Sequence, residues 1–426
     1  MTRNPTRRFH GERSNAVLSW VSVGCALLVG AWSVLDGRLH EAVYAVTLAA
    51  VVLAPALALG SPRAALPWEV SVLAVLPLLV ASASPEPFVR QLTLYAGAAV
   101  LALAITLELH ALTEIRLERL LAAAFVTMLS ATIAATWATA SWLRDQLVGT
   151  AVIASNDQVM WLFVTAVAAG PVAGTIFDRY YRHFPGEELV SASVDGIAEA
   201  EFATIADLDG QPSLDTRIPL TGTTQRALVW AMRVGLVAIV LVGLFQLDPG
   251  IVSNAAAMLA ITFVPTLGRH RYDLPFDAGL VLWLTVALFL HAIGALWLYE
   301  NTFWWHNVTH TLSATLVGAV GYVAIRTLDE HRTEVHLPPS LVPAFVAVFV
   351  IAFGVVWEIG EFGFDLFAAA TGLQMPLSQY SLADTMTDLL FNALGGIVVA
   401  TWGLPYLTEL TDAVTDLVAG WPWVDE

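Results

Sequence analysis

The stretch TFWWHNVTHTLSATLVGAVGYVAIR, residues 302–326, decides the fold and raises the functional question. Beyond its paired tryptophans it is apolar for long enough to cross about 30 Å of hydrocarbon, so it reads as a membrane helix. Trp304 and Trp305 form an aromatic anchor at one interface. His306 lies beside that anchor, and His310 lies one turn deeper. Two later stretches are built the same way. VVWEIGEFGFDLF, residues 355–367, places Glu358, Glu361 and Asp365 on an i, i+3, i+7 stripe where its apolar run ends. SLADTMTDLLFNALGGI, residues 381–397, places Asp384, Asp388 and Asn392 on an i, i+4, i+8 stripe where the next run begins. Successive spans alternate in direction, so all of these side chains fall on one side of the bilayer. Ionisable groups in hydrocarbon are costly unless paired, which makes them functional candidates.

Composition sets the class around these stretches. The chain is 57% hydrophobic and 13% charged, against roughly 25% charged in soluble domains. Apolar runs of spanning length occur near 15–35, 41–60, 65–83, 88–109, 117–142, 158–177, 225–246, 250–267, 277–298, 305–327, 340–363 and 384–404. The expected fold is therefore all-α, a polytopic transmembrane bundle of about twelve helices. All 19 basic residues are arginine and the net charge is -17, a balance that suggests a salt-loving, archaeal-like host. That balance excludes nucleic acid as a partner, because no basic face exists to neutralise phosphates. Cys25 is the single cysteine, so neither a disulfide framework nor a cysteine metal site can form.

Arg3, Arg7, Arg8 and Arg13 precede the first span with no small-residue cleavage site after it, which reads as an uncleaved cytoplasmic start. Most remaining arginines then fall near inner ends, and only Arg38, Arg90 and Arg144 fall toward the outside. A cell-membrane, multi-pass protein with both termini in the cytoplasm is expected. Its divisions are a membrane repeat over 1–177, an acidic cytoplasmic linker over 178–224, a membrane domain carrying the polar site over 225–405, and a cytoplasmic tail over 406–426. The middle of the linker, 191–207, could form a short acidic helix.

The two halves read as an internal repeat of six helices each, in one orientation. LAPALALG at 53–60 parallels FVPTLGRH at 263–270, and Phe88 parallels Phe303. TWATASWLRD at 136–145 parallels VWEIGEFGFD at 356–365, which aligns Asp145 with Asp365. At the polar positions the halves differ: Glu358, Glu361, His310, Asp388 and Asn392 face Ala138, Ser141, Tyr95, Trp161 and Thr165. That asymmetry points to one chemical site in the second half.

If the three helices pack together, several carboxylates meet with no lysine available and no arginine at that depth. Mutual repulsion then calls for compensation. A divalent metal ion is one solution, with His306, His310 and Asp384 as ligands together with Glu358, Glu361 and Asp388. Retained protons are the other, and they would suit proton-coupled transport. In the first case Glu358, Glu361, Asp388 and Asn392 are the catalytic candidates. Bland readings exist for each: interfacial histidines for HNVTH, a headgroup-facing carboxylate pair for WEIGEF, and an Asp N-cap with a glycine packing face for 384–396. Glu69, Glu108 and His110 read as interfacial, His291 as a satisfied structural hydrogen bond, and Arg233 as snorkelling inward. No Walker loop, nucleophile elbow, HExxH or dinucleotide fingerprint is present in a useful context.

The segments RHRYDLP, ENTFWWHNVTHTLSA, VVWEIGEFGFD, TGLQM and SLADTMTDLLFNALGGI make residues 264–402 resemble the YjdF-type family of polytopic inner-membrane proteins. More distantly, a His, a Glu and an Asp-to-Asn helix in succession is similar to VanZ-like proteins. The family's Asp after the paired aromatics is replaced here by His306 or Asn307. The resemblance implies a shared constellation of His310, Glu358, Glu361, Gln374, Asp384, Asp388 and Asn392, and no established activity. The leading expectation is an outward-facing site, with metal-assisted chemistry on a lipid, polar headgroup or envelope component. A proton- or cation-coupled transporter and a non-catalytic membrane scaffold are the alternatives. Membrane lipids and a lipid-like or small polar ligand are the expected partners.

Overall fold

A computed structural model describes residues 13–183, 214–302, 304–372, 379 and 381–419. Among these, helix is the only regular structure apart from one antiparallel bridge between Arg116 and His336. This is what hydrocarbon demands, since a helix satisfies its backbone internally. Eleven of the described helices are long and apolar enough to cross a membrane. The chain divides into two compact units, Met1–Glu199 with Glu334–Pro338, and Ala200–Thr333 with Pro339–Glu426. The expected linker lies largely outside the described residues, as do Phe303, Gln374 and the stretch 420–426.

The first unit contains α1 (Arg13–Leu35), α2 (Leu39–Ala58), α3 (Trp68–Ala83), α4 (Pro87–Leu112), α5 (Arg119–Val148) and α6 (Asn156–His183). Its core is built on Tyr44, Leu48, Leu66, Leu78 and Leu101, all fully buried. The Tyr44 hydroxyl reaches the carbonyls of Ala74 and Gly97 at 3.1 and 3.4 Å. Gly97 is required there, because a Cβ would meet the Tyr44 oxygen at 2.6 Å. The third span is shorter than expected. Helix α3 has 16 residues, or about 24 Å against a core of about 30 Å. Pro67 delays its start, and the apolar residues Ala65 and Leu66 pack instead as buried loop, with the Leu66 carbonyl accepting from Ser19 Oγ at 2.9 Å. Glu108 and His110, expected at an interface, are both buried.

Acids in this unit are answered by arginines. Buried Glu41 accepts from Ser33 Oγ at 2.8 Å and pairs with Arg38 at 3.0 Å. Asp145 pairs with Arg144 at 3.1 Å and accepts from the backbone N–H groups of Val152 and Ile153.

The second unit contains α7 (Leu214–Arg217), α8 (Gly222–Gln246), α9 (Pro249–Ile261), α10 (Val264–Tyr272), α11 (Ala278–Ile293), a π-helical turn at Gly294–Leu298, α12 (Tyr299–Asn301), α13 (Trp305–His331), α14 (Val342–Thr371), α15 (Leu382–Val398) and α16 (Thr408–Ala419). Pro265 splits the eighth span into α9 and α10, because it has no N–H to continue the ladder. Arg233 fills the break. It is buried rather than snorkelling to the surface: its Nε donates to Thr262 Oγ1 at 3.1 Å, and its guanidinium lies 4.1 Å from the Phe263 ring centroid. The described part of the expected tail is the helix α16, which packs on α13 with Thr415 Oγ1 at 3.2 Å from Thr327 Oγ1.

Helices α13, α14 and α15 pack on one another through small residues. Gly395 of α15 lies against the Thr311 carbonyl and against Ala314, whose Cβ would stand 2.6 Å from an added methyl. Gly396 meets Val350 of α14 in the same way.

Gly395→Val is expected to lower the apparent melting temperature of the detergent-solubilised protein by several degrees, since overpacking costs about 1–3 kcal/mol. Gly24→Ala, where a Cβ meets nothing within 4 Å, leaves it unchanged. In a Cys25→Ser background, single cysteines at 271 and 301 react with an impermeant maleimide from opposite sides of the membrane, which checks the span between them.

Candidate functional site

Local sequence aims the polar side chains before any packing. Ser381 Oγ accepts the Asp384 N–H at 3.1 Å, so Ser381 rather than Asp384 caps α15. The helix therefore starts at Leu382, and Asp384, Asp388 and Asn392 share one face. His306 and His310 lie in the first two turns of α13, with ring centroids 5.4 Å apart. Close approach of α13 and α15 at Gly395 then brings the two faces together.

His306 Nδ1 lies 3.4 Å from Asp384 Oδ1 and 3.5 Å from Asp388 Oδ1. His310 Nε2 lies 3.5 Å from the same Asp388 oxygen. On its other side, His310 Nδ1 lies 3.3 Å from Asn392 Oδ1. An amide oxygen only accepts, so this contact puts the ring proton on Nδ1 and leaves the Nε2 lone pair facing Asp388. One ligand atom from each of His306, His310 and Asp388 falls within 4.8 Å of the others. Asp388 and Asn392 are buried, while His306 and His310 are half-buried. The Asn392 amide occupies space that Gly354 leaves open, since a Cβ there would stand 2.8 Å from Asn392 Nδ2.

The cluster opens into a cavity of about 250 Å³. His306, His310, Asn392 and Glu361 line it, together with His291, Tyr299, Asn254 and an apolar wall. Glu361 Oε1 accepts from Trp357 Nε1 at 3.0 Å. Glu358 is 1% exposed and lies behind the wall instead, where Gln379 Nε2 donates to its Oε2 at 3.2 Å and to its backbone carbonyl at 3.1 Å. Gln379 also donates its N–H to Asp365 Oδ2 at 3.0 Å, tying the chain ahead of α15 to the end of α14. No arginine is among the residues lining the cavity.

Sequence reading gave no weight to Tyr299 or Asn254, and it gave His291 only a structural role. The π-helical turn puts Tyr299 in place: its hydroxyl lies 2.7 Å from His291 Nδ1, and its ring meets His306 edge-on at 4.0 Å. Gly294 makes room, because a Cβ would collide with the Tyr299 ring. A glycine and a tyrosine in an apolar run carry no periodic signal for a π-turn, although such turns recur at functional sites. Asn254 was visible as the one amide within the α9 run IVSNAAAMLAI.

Residues 227–409 match a family described as "Predicted membrane protein (DUF2238)". Residues 5–65 match a domain of unknown function (DUF8268). No curated protein and no solved structure matches the chain. The first match encloses the region that resembles YjdF-type proteins, and it brings a membrane-protein class without an activity. With the eleven spans, it makes this a multi-pass membrane protein.

Gly354→Ala pushes against the Asn392 amide and is expected to lower thermal stability by a few degrees. Gly360→Ala, on the same helix with nothing within 4 Å, leaves it unchanged. Paired thermal unfolding curves in detergent measure the difference.

Proposed function

We propose that the His306, His310 and Asp388 cluster is a divalent-metal centre of the zinc class, used for hydrolysis or group transfer on a lipid or other envelope component. In the same proposal the protein sits in the cell membrane with both termini in the cytoplasm, and the centre faces outward. One observation carries the metal reading: both histidine-to-Asp388 separations are 3.5 Å. That is long for a direct N–H···O hydrogen bond. It is close to the roughly 3.3–3.4 Å edge of a tetrahedron whose centre lies about 2.0–2.1 Å from each ligand atom.

The remaining side chains then take complementary roles. Asn392 holds the His310 ring in the tautomer that presents Nε2, as second-shell partners of metal-bound histidines do. Asp384, 3.4 Å from His306 Nδ1, orients that ring or completes the ligand set. Glu361 faces the cavity and is the general base, steadied by the Trp357 indole. A bound metal supplies Lewis acidity and an activated water. Glu358 acts as a brace through Gln379 and does not reach the cavity. The end of the cavity away from the histidines is lined by Ala314, Val317 and Val350. Apolar lining there favours a blind pocket over a transport route.

Purified wild-type protein is expected to retain one zinc ion per chain after dialysis, measured by inductively coupled plasma mass spectrometry. His310→Ala and Asp388→Asn lose it, and Asn392→Ala weakens binding by about 10–100-fold. Equal metal in wild type, His310→Ala and Asp388→Asn overturns the proposal.

A further inference from the structure

The cavity is two-ended, and the metal centre uses only one end. Along α13, His306 and His310 come first and Ala314 and Val317 follow; along α14, Glu361 and Trp357 stand at the polar end and Phe353 and Val350 recede from it. Each apolar stretch runs about 10 Å beyond the polar groups at 1.5 Å per residue. The cavity also opens sideways. Phe353 and Trp357 line it while remaining 45% and 37% exposed, and both lie on a helix that spans the membrane. The opposite wall carries Asn254 and Met258 of α9. Helix α9 packs on α8 and α11, whereas α14 packs on α13 and α15, so the cavity separates two groups of helices.

Asn254 adds a polar requirement. It sits five residues into α9, as His310 sits five residues into α13. Its Oδ1 is shielded from solvent and has no hydrogen-bond partner among the described residues. A buried acceptor left unmet is costly, so an occupant that donates a hydrogen bond is favoured.

We infer that the cavity takes a membrane amphiphile with a hydroxyl- or amine-bearing headgroup, entering sideways past Phe353 and Trp357. The headgroup meets His306, His310 and Asn254, and the chain lies on Val317, Val350 and Leu288. This deepens the proposed function by naming its substrate class, but the binding itself needs no metal. A pocket in spanning helices that is polar at one end, apolar at the other and open at the side matches a lipid's own polarity and orientation.

The test reconstitutes the full chain in phosphatidylglycerol vesicles containing a trace of phosphatidylglycerol with a diazirine on one acyl chain. After irradiation, labelled peptides are mapped by mass spectrometry. Label is expected on Leu288 and Val350 in the cavity, as well as on the exposed exterior residue Phe245. Val317→Trp, which fills the apolar end, cuts cavity label at least five-fold and leaves Phe245 label and zinc content unchanged. Ala295→Trp, at an exposed position on the rim, has the same effect and covers the case in which Val317→Trp fails to fold. Asn254→Leu lowers cavity label two-fold or more. Cavity label unaltered by both tryptophan variants, or abolished by water-soluble glycerol 3-phosphate, overturns the inference. Label that persists in protein shown to bind no metal supports it, while removing the metal reading alone.

Discussion

Charge inside an apolar bundle has to be met locally, because neither hydrocarbon nor packed side chains can solvate it. The two units meet that demand with different chemistry. In the first, Glu41 and Asp145 are held by Arg38 and Arg144, by Ser33 and by backbone N–H groups. In the second, Asp388 faces two imidazoles, Glu361 takes an indole N–H and Glu358 takes a glutamine amide. An arginine pair closes a site electrically. Imidazoles and neutral donors leave it able to accept a further cation or a proton, and this difference underlies every functional reading of the second unit.

Much of the architecture was legible because membrane helices obey simple rules. Length and hydropathy place the spans, and alternation of direction places the polar residues of three consecutive spans on one side. The failures were local. Ala65 and Leu66 are as apolar as a helix interior, yet Pro67 and packing against α1 make them loop. Arg233 was read as a surface-seeking side chain, whereas the backbone groups freed ahead of Pro265 supply a buried partner. The S-L-A-D pattern at 381–384 did carry a capping signal, and it identifies Ser381 correctly once read as such.

The site was legible in its residues and not in its depth. His310, Asp388 and Asn392 follow from helical spacing, because i, i+4 faces must meet when helices pack. Glu358 and Glu361 have the same spacing signal, yet one is a buried brace and the other lines the cavity. Periodicity gives the face of a helix, and only the neighbours of α14 decide which carboxylate reaches open space.

The π-helical turn at Gly294–Leu298 inserts one extra residue into the helical ladder. Removing a single residue from that turn would restore regular winding and swing everything after it by about 100° about the axis. Tyr299 would then leave His306 and His291, and the tryptophans that anchor α13 would be carried round with it. The rim of the cavity thus depends on chain length at one point, so an indel there changes the pocket more than most substitutions within it.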